Sequence, residues 1–328
     1  MLNSQTYMQN DIDSVIGHEF LKTATSETHS AMAWVVNHSE ELQKRLHTHG
    51  ALLIRGLDIA GSKGLERILS IIFGGPLLPY VYRSTPRTKM RGNIYTSTEY
   101  HSEEIIELHN ENSYTNRWPA RIAFYCAIPS TSGGQTPIAD SHKIYSSIPS
   151  QIRQEFERKK LLYVRNYGDI DLPWQEVFQT QSRSDVEHFC RQNNINFNWL
   201  GDGKLQTSQI RPAVKNHPSK NIPLWFNQAH LFHPSSLSEE SRESFIKLFG
   251  ENGLPRNVYF SDGQKIPDEY ISEIKKAMKS CMVCFDWQQG DLMLLDNMLY
   301  AHGRNSFSGE RKVLTGMAGR VEDDLVKW

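Results

Sequence analysis

Apolar residues recur along this chain at two different spacings, and the change from one to the other marks out its elements. In "SEELQKRLHTHG", Leu42 and Leu46 share a face, Ser39 is placed to cap and Gly50 to stop a helix. The unbroken apolar run "ALLIRG" follows at once and predicts a strand. In "LERILSIIFGG", Leu65, Ile68, Leu69 and Ile72 return to helical spacing before a glycine pair. Sheet-building sequence then dominates: a strand over Ala120–Ile128 in "ARIAFYCAI", the turn "PSTSGG", and a short strand in "TPIAD".

From Ser146 the pattern turns helical again. "SSIPSQIRQEFERKK" carries Pro149 at a helix start, with Ile148, Ile152 and Phe156 on one face. "SRSDVEHFCRQN" opens with Ser184 and Glu187 in capping-box spacing. Beyond position 200, "IPLWFNQAHLF" reads as an aromatic strand, and amphipathic helices are expected near 238–249 and 267–280. Three close strands follow, "MVCFDW", "DLMLLD" and "VLTGMAG". Strands thus precede and follow a helical insert without regular strand–helix alternation. That order argues against a doubly wound sheet and for a mainly β fold, an antiparallel sheet with flanking helices. With no repeat and no linker composition, residues 1–328 are expected to form one domain.

Composition narrows the function more than the fold. An apolar share of 38% and a charged share of 22% are ordinary for a globular chain. The 36 basic and 37 acidic residues nearly cancel, so no broad field draws nucleic acid or anionic membrane, and a small-molecule partner is expected. No leader-like N-terminus and no run of about 18 apolar residues occurs, which predicts a cytoplasmic protein. Four cysteines are too few for a disulfide framework; Cys281 and Cys284 form a lone C-x-x-C within "CMVCFDW", read as a buried strand.

The chemistry begins in "ELHNENSY". At a spacing of two along an extended segment, His109 and Glu111 point to one place while Asn110 points away. One more histidine would complete the two-histidine, one-carboxylate face of an octahedral metal that suits non-haem Fe(II). By itself H-x-E is a chance-level signal. "GDLMLLDNMLYAHGRNSFSGERKVLTGMA" strengthens it, because a strand there runs into a polar turn with His302, followed by Arg304 and Arg311.

"ELHNENSY", "SGGQTPIADS" and "DNMLYAHGRNSFSGERKVL" together resemble the taurine dioxygenase (TauD/TfdA) and clavaminate synthase-like family of Fe(II)/2-oxoglutarate-dependent oxygenases, in family order over roughly residues 50 to 320. The resemblance implies a double-stranded β-helix (jelly-roll) core, with the helical insert between its metal-binding halves. It implies His109, Glu111 and His302 as iron ligands, and Thr136 and Arg311 as holders of the distal carboxylate of 2-oxoglutarate, with O2 as the second cosubstrate. A guanidinium fork and a hydroxyl suit that carboxylate in any case. Four residues after Arg311, where some members carry a second, substrate-holding arginine, this chain has Thr315.

The H-x-E form looks most like members that hydroxylate free amino acids or aminoacyl groups on carrier proteins in natural-product pathways. Desaturation, epoxidation or cyclisation at the same site, a non-catalytic jelly-roll binding protein and a zinc hydrolase are the competing expectations. Substrate-side candidates are Asn112, Ser113 and Tyr114, the polar pair Asn227 and Gln228 after "LWF", and Arg304, which could equally be structural. His230 and His233 either line the pocket or simply pack. "TSTEYHSEE", Thr96 to Glu104, is either a solvated loop or a lid.

Overall fold

A computed structural model describes residues 21–23, 30–82, 85, 87–168 and 171–323. Its centre is two facing sheets. The larger has the order Leu21–Thr23, Ala51–Arg55, Leu292–Asp296, Arg117–Ile128, Lys312–Glu322, Ile94–Thr96, antiparallel except for the first pair. The smaller has the order Met282–Val283, Ile138–Asp140, Tyr300–Arg304, Ile106–His109 and is antiparallel throughout. This is the jelly-roll sandwich, with edges left open rather than closed into a barrel.

The unbroken apolar runs have a direct cause. Strand side chains alternate faces, and the larger sheet is covered on both. Ala51, Leu53, Met293 and Leu295 point inward to a core shared with Phe124, Ile138 and Trp287. Leu52, Ile54, Leu292 and Leu294 point outward, where helices Ala31–His49 and Gly61–Phe73 bury Leu42, Leu46, Leu65, Ile68, Leu69 and Ile72 against them. Both helices end as predicted, Gly50 and Gly74 adopting the left-handed conformation at the C-cap.

Local start signals were misplaced in two helices. The first begins eight residues before Ser39, at Ala31, where Ser30 accepts from the Ala33 amide; Ser39 lies mid-helix and bonds back to the Val36 carbonyl. In helix Arg183–Gln192 the cap is Ser182, accepting from the Asp185 amide, while Glu187 bonds Arg191 and Trp199 instead of closing a box with Ser184. Helix Ser150–Lys159 does begin after Pro149, and Ile148, Ile152 and Phe156 are buried together.

The insert between Asp140 and Met282 is not purely helical. It holds its own antiparallel sheet, Arg256–Phe260, Leu161–Tyr167, Leu205–Arg211 and Asn196–Trp199, around a second aromatic core. "IPLWFNQAHLF" splits into strand Pro223–Trp225 and the short helix Ala229–Phe232, because Asn227 accepts the Ala229 amide and turns the chain. Helices Glu239–Phe249 and Asp268–Ser280 lie where expected. Cys281 and Cys284 are free thiols flanking strand Met282–Val283; burial pushes Cys284 up to about 11, and Asn305 donates to its sulfur. No helix among the described residues is long and apolar enough to cross a membrane.

Candidate metal centre

His302 lies in strand Tyr300–Arg304, not in a polar turn, and directly opposes His109 across the antiparallel pair. Opposed side chains on one sheet face are near neighbours, and here the two imidazole centroids are 4.7 Å apart. Backbone contact is close: a Cβ on Gly303 would come within 2.5 Å of the Ile106 carbonyl oxygen, so the step after His302 has to be glycine for this register to hold.

Glu111 reaches the same point from a turn. The strand ends at His109, and Asn110 folds inward, donating to the Asn297 carbonyl and to Ser141. Asn112 then takes a left-handed conformation, φ 57°, which asparagine tolerates better than most side chains. Ligand atoms of His109, Glu111 and His302 all lie within 4.8 Å of one another; among the described residues this is the one such grouping of His, Cys, Asp or Glu donors.

Asn297, which no sequence signal marked, holds this turn from outside. Its Oδ1 accepts the Glu111 amide at 2.8 Å, and its Nδ2 donates to the Glu111 and Pro119 carbonyls. Truncation to alanine leaves those buried groups without partners at a cost of about 2–4 kcal/mol. Asn297→Ala is therefore expected to lower the thermal midpoint and to weaken Mn(II) binding roughly tenfold by loosening Glu111. Calorimetric melting with and without Mn(II) measures both.

The electrostatics suit a metal. Burial pulls His302 well below the ordinary histidine range, with His109 and Arg87 adding to the shift. His109 is also lowered, by burial first, with Glu111 opposing. Both rings are thus neutral and able to donate lone pairs. His109 Nδ1 donates to the Glu107 carbonyl at 2.9 Å, which leaves Nε2 as the lone-pair nitrogen facing the site. His302 is more telling: it is 3% exposed, and neither of its ring nitrogens has a hydrogen-bond partner. Buried polar atoms seldom stay unpaired, and a metal ion at the meeting point of the three side chains would satisfy one of them. Two imidazoles and a carboxylate are a donor set that suits divalent iron.

Beside this triad runs a narrow cleft lined by Arg87, Ser97, Thr98, Phe124, Thr136 and Arg311. Arg311 donates to the Gly134 carbonyl at 2.9 Å and lies 3.5 Å from Thr136 Oγ1. No acid pairs with it among the described residues, and burial draws its pKa down to about 10. Thr136 also accepts from Trp287 at 3.1 Å, so its own hydroxyl hydrogen remains available to a ligand. "SGGQT" needs its second glycine: Gly134 has φ +70°, and a Cβ there would come within 3.0 Å of the Arg311 side chain.

The remaining sequence candidates separate sharply. Arg304 also lines the cleft, and its guanidinium donates to four carbonyls, those of Thr98, Tyr100, His101 and Glu104, which is the bonding of a residue that orders a loop. It ties "TSTEYHSEE" to the cleft, where Ser97 and Thr98 form part of the wall while Glu99, His101, Glu103 and Glu104 remain exposed. Replacing Arg304 with methionine is expected to speed proteolysis between 98 and 104 while leaving Mn(II) affinity within about twofold, because the loop loses its donors and the ligands do not.

Asn227 and Gln228 do not face the cleft. Asn227 is spent on Ala213 and Ala229, and Gln228 donates to the Asn110 carbonyl, supporting the ligand turn from behind. His230 and His233 pack and bond carbonyls of Leu108 and Ile266. Ser113 and Tyr114 are buried, Tyr114 packing among Tyr82, Tyr163 and Phe232. Asn112 alone of that trio lines a cavity, one of about 310 Å³ walled by Tyr80, Tyr82, Trp118, Phe178 and Phe189. Arg87, absent from the sequence reading, proves to be in the cleft wall and donates to Glu111 at 2.5 Å. No pattern near "RSTPRTK" could have shown it, since the contact depends on a loop folding back over the sheet.

Comparison with known proteins gives the family. A family model described as "Taurine catabolism dioxygenase TauD, TfdA family" matches residues 20–318. The dapdiamide synthesis protein DdaC of Enterobacter agglomerans is 38% identical over 319 residues, covering 97% of this chain and 96% of its own. A clavaminate synthase-like protein of Arabidopsis thaliana is 29% identical over 287 residues, covering 84% and 83%. The solved structure of AAD-2 in complex with Mn(II) and N-oxalylglycine has the same fold, with a TM-score of 0.54 at 9% identity over 94% of this chain and 96% of that one. By a family match that spans nearly all of the described fold, this chain belongs to the TauD/TfdA dioxygenases and is a non-haem oxygenase that uses Fe(II), 2-oxoglutarate and O2.

Proposed function

We propose that this protein, as a single domain over residues 1–328 acting in the cytoplasm, hydroxylates an unactivated C–H bond of an amino acid, free or carrier-protein-bound, in natural-product biosynthesis. The reading is carried by His302, whose two unpartnered buried nitrogens meet His109 and Glu111 beside an unpaired arginine. A relative 38% identical is named for dapdiamide synthesis, which supports the pathway class.

In this reading His109, Glu111 and His302 hold the iron. Arg311 and Thr136 hold the distal carboxylate of 2-oxoglutarate, the first by its fork and the second by its free hydroxyl hydrogen. Iron held there would supply oxidation with O2, in which one oxygen atom would enter the substrate and 2-oxoglutarate would become succinate and carbon dioxide. The chain's own work is positioning and exclusion. The Glu107 carbonyl fixes the His109 tautomer, Asn297 fixes the Glu111 turn, and Phe124 packs its ring 5.0 Å from His302 as an apolar wall. Arg304 holds the loop whose Ser97 and Thr98 form one side of the cleft. A carboxylate at 111 fills the ligand position that a halide would need, which disfavours halogenation.

Mass spectrometry on a panel of free amino acids and carrier-bound aminoacyl groups tests this. A gain of one oxygen matched by succinate, and dependent on O2 and 2-oxoglutarate, is expected. Turnover without either cosubstrate would mean a hydrolase. Absence of succinate, together with no anaerobic visible band on adding Fe(II) and 2-oxoglutarate, would mean a binding protein.

A further inference from the structure

The cleft holds more positive charge than the bound groups would use, and the surplus sits on Arg87. Its side chain is 3% exposed, its guanidinium packs over the Tyr80 ring at 4.6 Å, and Nη2 donates to Glu111 Oε2. Its Nε and Nη1 face no acceptor, although both are buried and the residue lines the same cleft as His109, Thr136, His302 and Arg311. Buried guanidinium N–H groups without acceptors are costly, so a pair of them in a cleft wall marks a place for an anion.

Charge counting agrees. A divalent ion, Arg87 and Arg311 are opposed by Glu111 and a dicarboxylate cosubstrate, which leaves one positive charge over. Arg304 also lines the cleft, but four loop carbonyls take its Nη hydrogens and the Glu104 charge acts on it, so it offers an incoming anion fewer free donors than Arg87. The other polar groups of the wall, Ser97, Thr98 and Thr136, are uncharged. One further carboxylate would bring the enclosed site to neutrality.

We propose that Arg87 has two tasks: it fixes the outer oxygen of Glu111, leaving Oε1 for the metal, and it receives a carboxylate arriving beside the metal through the N–H groups that Glu111 leaves free. This rests on the function proposed above and sharpens the substrate class. A free carboxylate meets this charge and its free N–H groups, whereas the thioester of a carrier-bound aminoacyl group offers them no charge. The same chemistry could serve the 2-oxo-acid end of the cosubstrate, so the test separates the two sources.

Arg87→Gln and Arg87→Lys would be compared with the unaltered protein. Mn(II) affinity, read by electron paramagnetic resonance without any cosubstrate, should weaken about 10–100-fold in Arg87→Gln and recover in part in Arg87→Lys, which keeps the charge. Lysine offers one ammonium in place of the planar guanidinium and cannot serve Glu111 and a second carboxylate at once, so carboxylate binding should stay at least tenfold weaker in both variants. If the substrate supplies the carboxylate, the loss falls on the KM of free amino acids with 2-oxoglutarate affinity unchanged, and the matching amides are poor substrates of the unaltered enzyme. If the loss falls on 2-oxoglutarate affinity, the cosubstrate is the source and the substrate assignment is overturned. Unchanged Mn(II) affinity with both carboxylate affinities unchanged would overturn the whole proposal. Failure of the unaltered protein to make succinate would instead overturn the proposed function, and the Mn(II) comparison would still judge the first task.

Discussion

Replacing His302 with alanine abolishes succinate production and removes any stabilisation by Mn(II), with metal affinity falling more than about 100-fold, beyond the loss typical of an outer-shell partner. The free protein should scarcely notice. Loss of the ring leaves a small void against Phe124 and His109, but it also removes two buried nitrogens that bond nothing. Those effects oppose each other, so the metal-free melting point is expected to shift by no more than about 1 kcal/mol in stability. A ligand that binds only the folded state raises its midpoint by mass action, and that increment is what disappears. Differential scanning calorimetry with and without Mn(II), beside a succinate assay, makes the measurement. A variant that keeps the Mn(II) increment would show that the triad is not the metal site.

Arg311→Ala acts on a different quantity. A charge-assisted bond is worth about 1.5–3 kcal/mol, so losing the fork should raise the 2-oxoglutarate requirement about 10–100-fold. Mn(II) affinity should hold, since Arg311 touches none of the three ligands and bonds Gly134 and Thr136 instead. Arg311→Lys should fall between, because an ammonium keeps the charge without the planar fork. Succinate formation against 2-oxoglutarate concentration reads the effect. Full activity of Arg311→Ala at low cosubstrate would mean that another cation of the cleft wall, Arg87 or Arg304, takes that carboxylate.

Much of this site was legible because it is written locally. H-x-E spacing, "SGGQT" and the arginine after the second histidine each sit in one short segment, and segment order carried the family resemblance. Their roles as ligands and cosubstrate holders remain the reading that these two experiments test. Less legible were residues whose meaning depends on what lies across from them. Arg304 follows His302 like a substrate-binding residue, yet both of its terminal nitrogens are taken by loop carbonyls. Asn227 and Gln228 follow an apolar strand like pocket-mouth residues, yet the chain turns at that point and uses them to hold itself. Asn297 and Arg87 look ordinary in sequence and touch the ligand turn in space.

Periodicity and turn residues were enough for the outer helices, the strands covered on both faces and their mainly antiparallel class, because each depends on contacts repeated every two or every three to four residues. Long-range pairing had to decide the rest. The register that opposes His302 to His109, the sheet hidden in the insert, and the loop that brings Arg87 onto Glu111 join positions far apart in the chain. No local pattern encodes which of many compatible partners will fill the space opposite.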